Sequence, residues 1–170
     1  MDEYQEQYLE DEKNIDEEKE LQGLGGWLTL VGIGLFISLF STIKRIYDLY
    51  LFVTGEEWFL LTNVHSEYYH KMWKPGIIFE ISVNIILLLI LIASIIYFFN
   101  KKKAFPKLMI FMYMFVIITA IIDHILIVQI PMLYETDTIS FSEIIRASIT
   151  ASIWIPYFIK SKRVNNTFIN

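Results

Sequence analysis

The chain has 170 residues, 55% of them hydrophobic and 19% charged, with a formal net charge of −5 and no cysteine. A soluble domain of this length averages about 45–50% apolar and about 25% charged residues spread along the chain, whereas here Leu21–Ile43 and Ile81–Asn100 carry no formal charge at all. Stretches of that length cross a bilayer core of about 30 Å, and the lack of cysteine excludes a disulfide framework, a thiol nucleophile and a cysteine zinc site.

Residues 1–22 hold ten acids against Lys13 and Lys19, a net of −8 that leaves +3 for the remainder. A segment so charged buries too little apolar surface to offset its conformational entropy, so an acidic, disordered tail is expected. Acids follow Met1 where a signal peptide would carry bases, so the first hydrophobic span is expected to stay in the mature protein.

Four spans follow within residues 23–170. The first covers about 24–43 and carries Gly32 and Gly34, which allow close approach of a neighbouring helix. The second, about 75–99, opens at Pro75 and Gly76, where proline suits a first helical turn. The third, about 106–130, opens at Pro106 and is broken by Pro131. The fourth, about 140–159, is the least apolar. It starts at Ser140, whose spacing to Glu143 is that of a capping box, and its Ala147, Ser148, Ala151 and Ser152 suit a helix packed on helices. Pro156 cannot donate an N–H to the Ser152 carbonyl and is expected to bend or open the end of this span. The expected fold class is all-α, an integral membrane four-helix bundle with a disordered acidic N-terminal tail.

Basic residues near the span ends set the direction. With both termini inside, Lys13, Lys19, Lys101, Lys102, Lys103, Lys107, Lys160, Lys162 and Arg163 face the cytoplasm, against Lys44, Arg45, Lys71 and Lys74 outside. The expected location is therefore a bacterial inner membrane, with both termini cytoplasmic. Trp58, Tyr68, Tyr69 and Trp73 then fall at the outer interface, so the loop from Thr54 to Lys74 is expected to lie along it.

Five side chains do not belong in lipid: Glu80, Asn84, Asp123, His124 and Arg146. At about 1.5 Å per residue from the outer span ends, they lie roughly 6–14 Å deep. An intramembrane charge costs about 2.5–3.5 kcal/mol at a span's centre, so these groups need partners or water. Arg146 is expected to pair with Asp123, Glu80 or both, with Lys44 or Arg45 as a second cation. The cluster reads either as a closed network fixing helix packing or as the lining of a hydrated cavity that binds a small ligand, proton or cation. His65, Glu67 and His70 make an incomplete ligand set and read as loop residues, so no metal is expected. No phosphate loop, nucleophile elbow or basic nucleic-acid face is present, and no catalytic residue or cofactor is assigned.

The ends of the membrane region carry a resemblance. Leu24-Gly25-Gly26-Trp27-Leu28 at one end, and Trp154-Ile155-Pro156-Tyr157-Phe158 followed by Ser161, Lys162, Arg163, Val164, Thr167 and Phe168 at the other, resemble the bacterial membrane family called domain of unknown function 2569. The resemblance covers about residues 21–168, and it implies a compact four-helix inner-membrane protein with no assigned activity. Arg146 sits where that family tends to place an arginine, and Asn165 stands where it would have a lysine. The expected function is that of a non-enzymatic membrane component acting through membrane lipids, a protein partner or homo-oligomer contacts. The alternative is a small transporter or ligand sensor built on the polar cluster.

Overall fold

The computed structural model describes residues 5, 7, 23–131 and 138–170, with side chains from 141 onward in the last segment. The acidic stretch expected to be disordered therefore lies, apart from Gln5 and Gln7, outside the described residues. The Ser140 side chain of the expected capping box does too.

Among the described residues the chain is all-helical, with no strand. Helix α1 spans Trp27–Thr54, α2 Glu56–Thr62, α3 Trp73–Phe99, α4 Phe105–Ile127, α5 Thr138–Lys160 and α6 Lys162–Thr167. Of these, α1, α3 and α4 are long and apolar enough to cross a membrane.

Helix α1 starts where Gly26, at φ +59°, turns the chain in a left-handed conformation that suits glycine. It runs on well past Ile43, where the uncharged stretch ends: the residues that follow, Ile46 to Thr54, are mostly apolar, and Lys44 and Asp48 pair one turn apart at 2.6 Å, which adds about 0.2–0.5 kcal/mol to the helix. Its 28 residues rise about 42 Å. Gly55 ends it, and α2 folds back so that Trp58 meets Phe52 edge to face at 6.2 Å. Phe59, Leu60 and Val64, all exposed, give this loop an apolar surface.

Helices α3 and α4 form a tight hairpin. Lys101 takes φ +50°, the Lys102 N–H reaches the Tyr97 carbonyl at 2.9 Å, and the Lys101 N–H reaches Phe98 at 3.1 Å. This is the paired 6→1 and 5→2 bonding of a Schellman motif, with a lysine in the place that usually favours glycine. At the other end α4 stops at Ile127, three residues short of the expected limit. The bonds Gln129 N–H to Leu126 and Ile130 N–H to Ile127 tighten the chain into three-residue turns ahead of Pro131, whose ring disfavours a helical predecessor.

Helix α5 begins at Thr138, so Ser140 lies in its first turn and does not precede it. It carries Pro156 within it and continues one turn to Lys160. The sequence gives a further helix not expected from hydropathy: Ser161 caps α6 by accepting from the Val164 N–H at 3.4 Å.

The long helices alternate in direction, and their packing is uneven along the molecule. Near the termini, Leu28, Phe98, Phe105, Phe158, Val164 and Phe168 form a buried core in which Phe105 stacks on Phe168 at 4.5 Å. Gly32 lets α1 approach α3 so closely that an added Cβ would stand 3.1 Å from the Phe98 ring, whereas Gly34 faces open space. Outward faces carry apolar ridges at helical spacing, Leu30, Ile33, Ile37 and Phe40 on α1 and Ile145, Ile149 and Ile153 on α5, all exposed. Ridges this long and apolar on several helices fit lipid and would be costly in water.

Candidate functional site

At the end of the bundle away from the termini, each long helix contributes one charged residue to a common cluster. Arg45 stands on α1, Glu80 on α3, Asp123 on α4 and Glu143 on α5. The Arg45 guanidinium is 2.7 Å from Glu80 Oε1 through one terminal nitrogen and donates to the same oxygen from Nε at 2.9 Å. Its other terminal nitrogen lies 3.9 Å from Glu143 Oε1. Asp123 lines the same walls as Arg45 and Glu80 and adds to the negative field at the guanidinium. One cation thus faces three carboxylates and ties helices distant in sequence, a geometry in which the fork of arginine outperforms a point charge.

Of the five residues singled out by sequence, the structure brings Glu80, Asn84 and Asp123 to this cluster. Asn84 is buried, but its amide donates to the Glu80 carbonyl one turn back at 2.9 Å, so it satisfies its own helix. His124 turns toward α5, its ring 6.1 Å from that of Phe141. Arg146 does not take the expected partners. It lies three residues beyond Glu143, about 4.5 Å further along α5, is exposed, and makes no ion pair among the described residues. Glu80 is instead held by Arg45, which the unexpectedly long α1 carries to the right depth. Glu143 was missed as a member of the cluster; its signal in the sequence was an intramembrane acid one turn from Arg146.

Among the described residues three cavities adjoin the cluster, a small one of about 140 Å³ walled by Arg45, Glu80, Asp123 and Glu143 and two larger. The largest, about 510 Å³, lies between α1, α3 and α4, bounded by Arg45, Glu80, Asp123, Phe52, Trp73 and Ile127 among others. The buried Nε1 of Trp73 has no acceptor among the described residues. The second, about 400 Å³, is lined by Arg146, Glu143, Thr42 and Tyr113 on its polar side. Among the described residues no three His, Asp or Glu side chains gather as metal ligands. His70 Nδ1 instead accepts from the Met72 N–H at 3.3 Å.

The residues that carried the family resemblance meet at the opposite end. The Gly23 N–H donates to Thr167 Oγ1 at 3.0 Å, and the Thr167 hydroxyl donates back to the Gly23 carbonyl at 3.2 Å. Gly25 and Gly26 run beneath Arg163, so closely that a Cβ on Gly25 would come 3.2 Å from its guanidinium. Trp27 meets Trp154 edge to face at 6.1 Å, Trp154 meets Tyr157 at 5.7 Å, and Phe158 meets Phe105 at 5.8 Å. Val164 and Phe168 are buried below them, and the chain closes where Asn170 accepts from the Lys103 N–H at 2.7 Å. Asn165 stays exposed.

A family model described as a protein of unknown function, DUF2569, matches residues 21–169. No curated protein and no solved structure matches the chain.

Proposed function

The chain belongs to the DUF2569 family, and from that premise we propose that it is a four-span protein of the bacterial inner membrane, both termini cytoplasmic, that catalyses no reaction and acts through contacts with lipid, a partner protein or a second copy of itself. Membrane residence follows from its three long apolar helices. The fourth span is supported by the length of α5, 23 residues, and by its outward ridge of isoleucines. Of its small residues, Ala151 is buried, Ala147 and Ser148 are half-buried, and Ser152 is exposed and donates to the Ser148 carbonyl of its own helix. An even number of alternating helices agrees with the Gly23–Thr167 clasp, which joins the two ends of the membrane region. The basic residues at that end favour the cytoplasm.

The observation that carries the reading is the destination of the family-signature residues. They pack into a closed interlock of the termini, with side chains spent on rings, caps and backbone bonds, while the outward faces of α1 and α5 remain broad and apolar. Such faces are where a membrane protein without catalytic machinery meets its neighbours.

Photo-crosslinking in native membranes tests this. A photoreactive residue at Phe40 or Ile153, both exposed, is expected to give one discrete protein adduct or a headgroup-selective lipid adduct. Random lipid labelling at both positions, together with saturable gradient-driven flux by the purified protein in vesicles, would replace this reading with transport.

A further inference from the structure

We infer that the cavity lined by Arg146 is a binding site for an organic anion of single charge, a carboxylate carried on an apolar body. The inference goes beyond the contact role proposed above, shares with it only the placement of α5 in the membrane, and fails separately from it.

Depth comes first. Arg146 lies eight residues, about 12 Å, from the Thr138 end of α5 and fourteen residues, about 21 Å, from Lys160. An arginine at the centre of a span costs about 2.5–3.5 kcal/mol on insertion, and it is kept where it meets a partner or a polar cavity. Among the described residues the Arg146 side chain makes no ion pair and no hydrogen bond. What it lines instead is a space of about 400 Å³.

That volume falls within the range of roughly 300–1,000 Å³ typical of small-molecule sites, which are mostly apolar with a few convergent polar groups. Leu91, Met112 and Val116 supply apolar wall, and the hydroxyls of Ser38, Ser41, Thr42 and Tyr113 stand in the wall with Arg146. Thr42 is buried, yet neither its hydroxyl nor the other three makes a hydrogen bond among the described residues. Thr150 in the same wall is by contrast spent on the Arg146 carbonyl at 2.8 Å.

The unspent groups set the chemistry of the ligand. A guanidinium and hydroxyls with protons to donate call for acceptor oxygens, and a carboxylate presents two in the plane of the arginine fork. Glu143 also lines this cavity, but its Oε1 lies 3.9 Å from Arg45. Its nearness disfavours a dianion, whereas one negative charge matches Arg146. The remaining apolar wall requires a hydrocarbon body on the same molecule.

The test varies head and body separately. The full-length protein in nanodiscs of zwitterionic lipid is titrated at neutral pH with octanoate, octanol, octylammonium and acetate, with empty discs as the reference. Saturable binding beyond the empty discs is expected for octanoate alone. Arg146→Gln should weaken it about tenfold or more, the loss of a charge-assisted hydrogen bond. Ser38→Phe should do the same while keeping every charge, because Ser38 lines the cavity from an exposed position that admits a larger side chain. Lys160→Gln, at the end of the same helix and outside the cavity, should leave binding unchanged. Should Arg146→Gln fail to fold, Ser38→Phe decides. Octanol bound as well as octanoate would make the cavity a greasy pocket, octylammonium bound as well would give the site to the neighbouring acids, and acetate bound as well would remove the apolar body; each overturns the proposal. So does an absence of saturable octanoate binding, or full binding by folded Arg146→Gln or Ser38→Phe, or a loss in Lys160→Gln equal to that in Arg146→Gln, which would place the anion at the membrane surface.

Discussion

Arg45 and Arg146 both lie near Glu143, one across from it on α1 and the other three residues on in α5, and they differ in what faces them. Arg45 gives two bonds to Glu80 and reaches Glu143, joining α1, α3 and α5; Arg146 makes no ion pair among the described residues. Removing one partner of a charged hydrogen-bonded pair costs more than the pair contributed, because the other is left uncompensated. Arg45→Ala should therefore lose about 2 kcal/mol, somewhat less than a sealed pair because its side chain is 49% exposed. Arg146→Ala should stay within about 0.5 kcal/mol, as surface substitutions do. Unfolding of the detergent-solubilised protein by sodium dodecyl sulfate measures both, and a larger loss for Arg146 would restore it to the centre of the network. The sequence marks several charges that need partners within the spans, and Glu80 and Asp123, two of those it singles out, lie beside Arg45 in the structure. As their cation the sequence puts Arg146 first and Lys44 or Arg45 second; that Arg45 holds Glu80 depends on α1 running past its uncharged stretch to Thr54, which a span ended at the first charge does not follow.

Individual helices show the same division between what pattern gives and what packing decides. Pro75 and Pro106 marked the starts of α3 and α4 to within two residues, because proline's fixed φ and missing N–H suit only the first turn. The end of α4 and the existence of α6 were not visible, since both rest on short bonds in a few polar or pre-proline residues. Glycines divide by surroundings in the same way. Gly32 and Gly34 look alike in sequence, yet only Gly32 lies against another helix. The Phe98 ring it touches is itself 3% exposed and held among Phe99, Phe105 and Phe168, so it cannot retreat. Gly32→Ala should cost about 1 kcal/mol net, overpacking of about 2 kcal/mol less about 1 kcal/mol of helix propensity. Gly34→Ala meets no neighbour and should gain up to about 1 kcal/mol from propensity alone. Opposite shifts of the unfolding midpoint are the expected result, and equal shifts would mean that α1 and α3 do not touch at Gly32.

Along the whole molecule, packing runs from closed to open. The end that holds the termini is sealed by stacked phenylalanines and the Gly23–Thr167 clasp, and the end that holds the Arg45 cluster contains the cavities. Two positions on α3 sample this gradient: Asn84 lines a space of about 140 Å³ next to the cluster, and Ser94, ten residues and about 15 Å nearer the sealed end, is 0% exposed. The absence of native cysteine lets a single introduced thiol report water access without background. An impermeant thiol reagent applied to intact cells should label Glu67→Cys rapidly, label Asn84→Cys more slowly through the open end, and leave Ser94→Cys untouched. The same reagent applied from the cytoplasmic side should reach none of the three. Labelling of Glu67→Cys only from inside would invert the topology. Protection of Asn84→Cys from both sides, with Glu67→Cys labelled outside, would mean that the cluster is sealed, so that its charges serve to register four helices and the cavity beside it is closed to any ligand arriving through water.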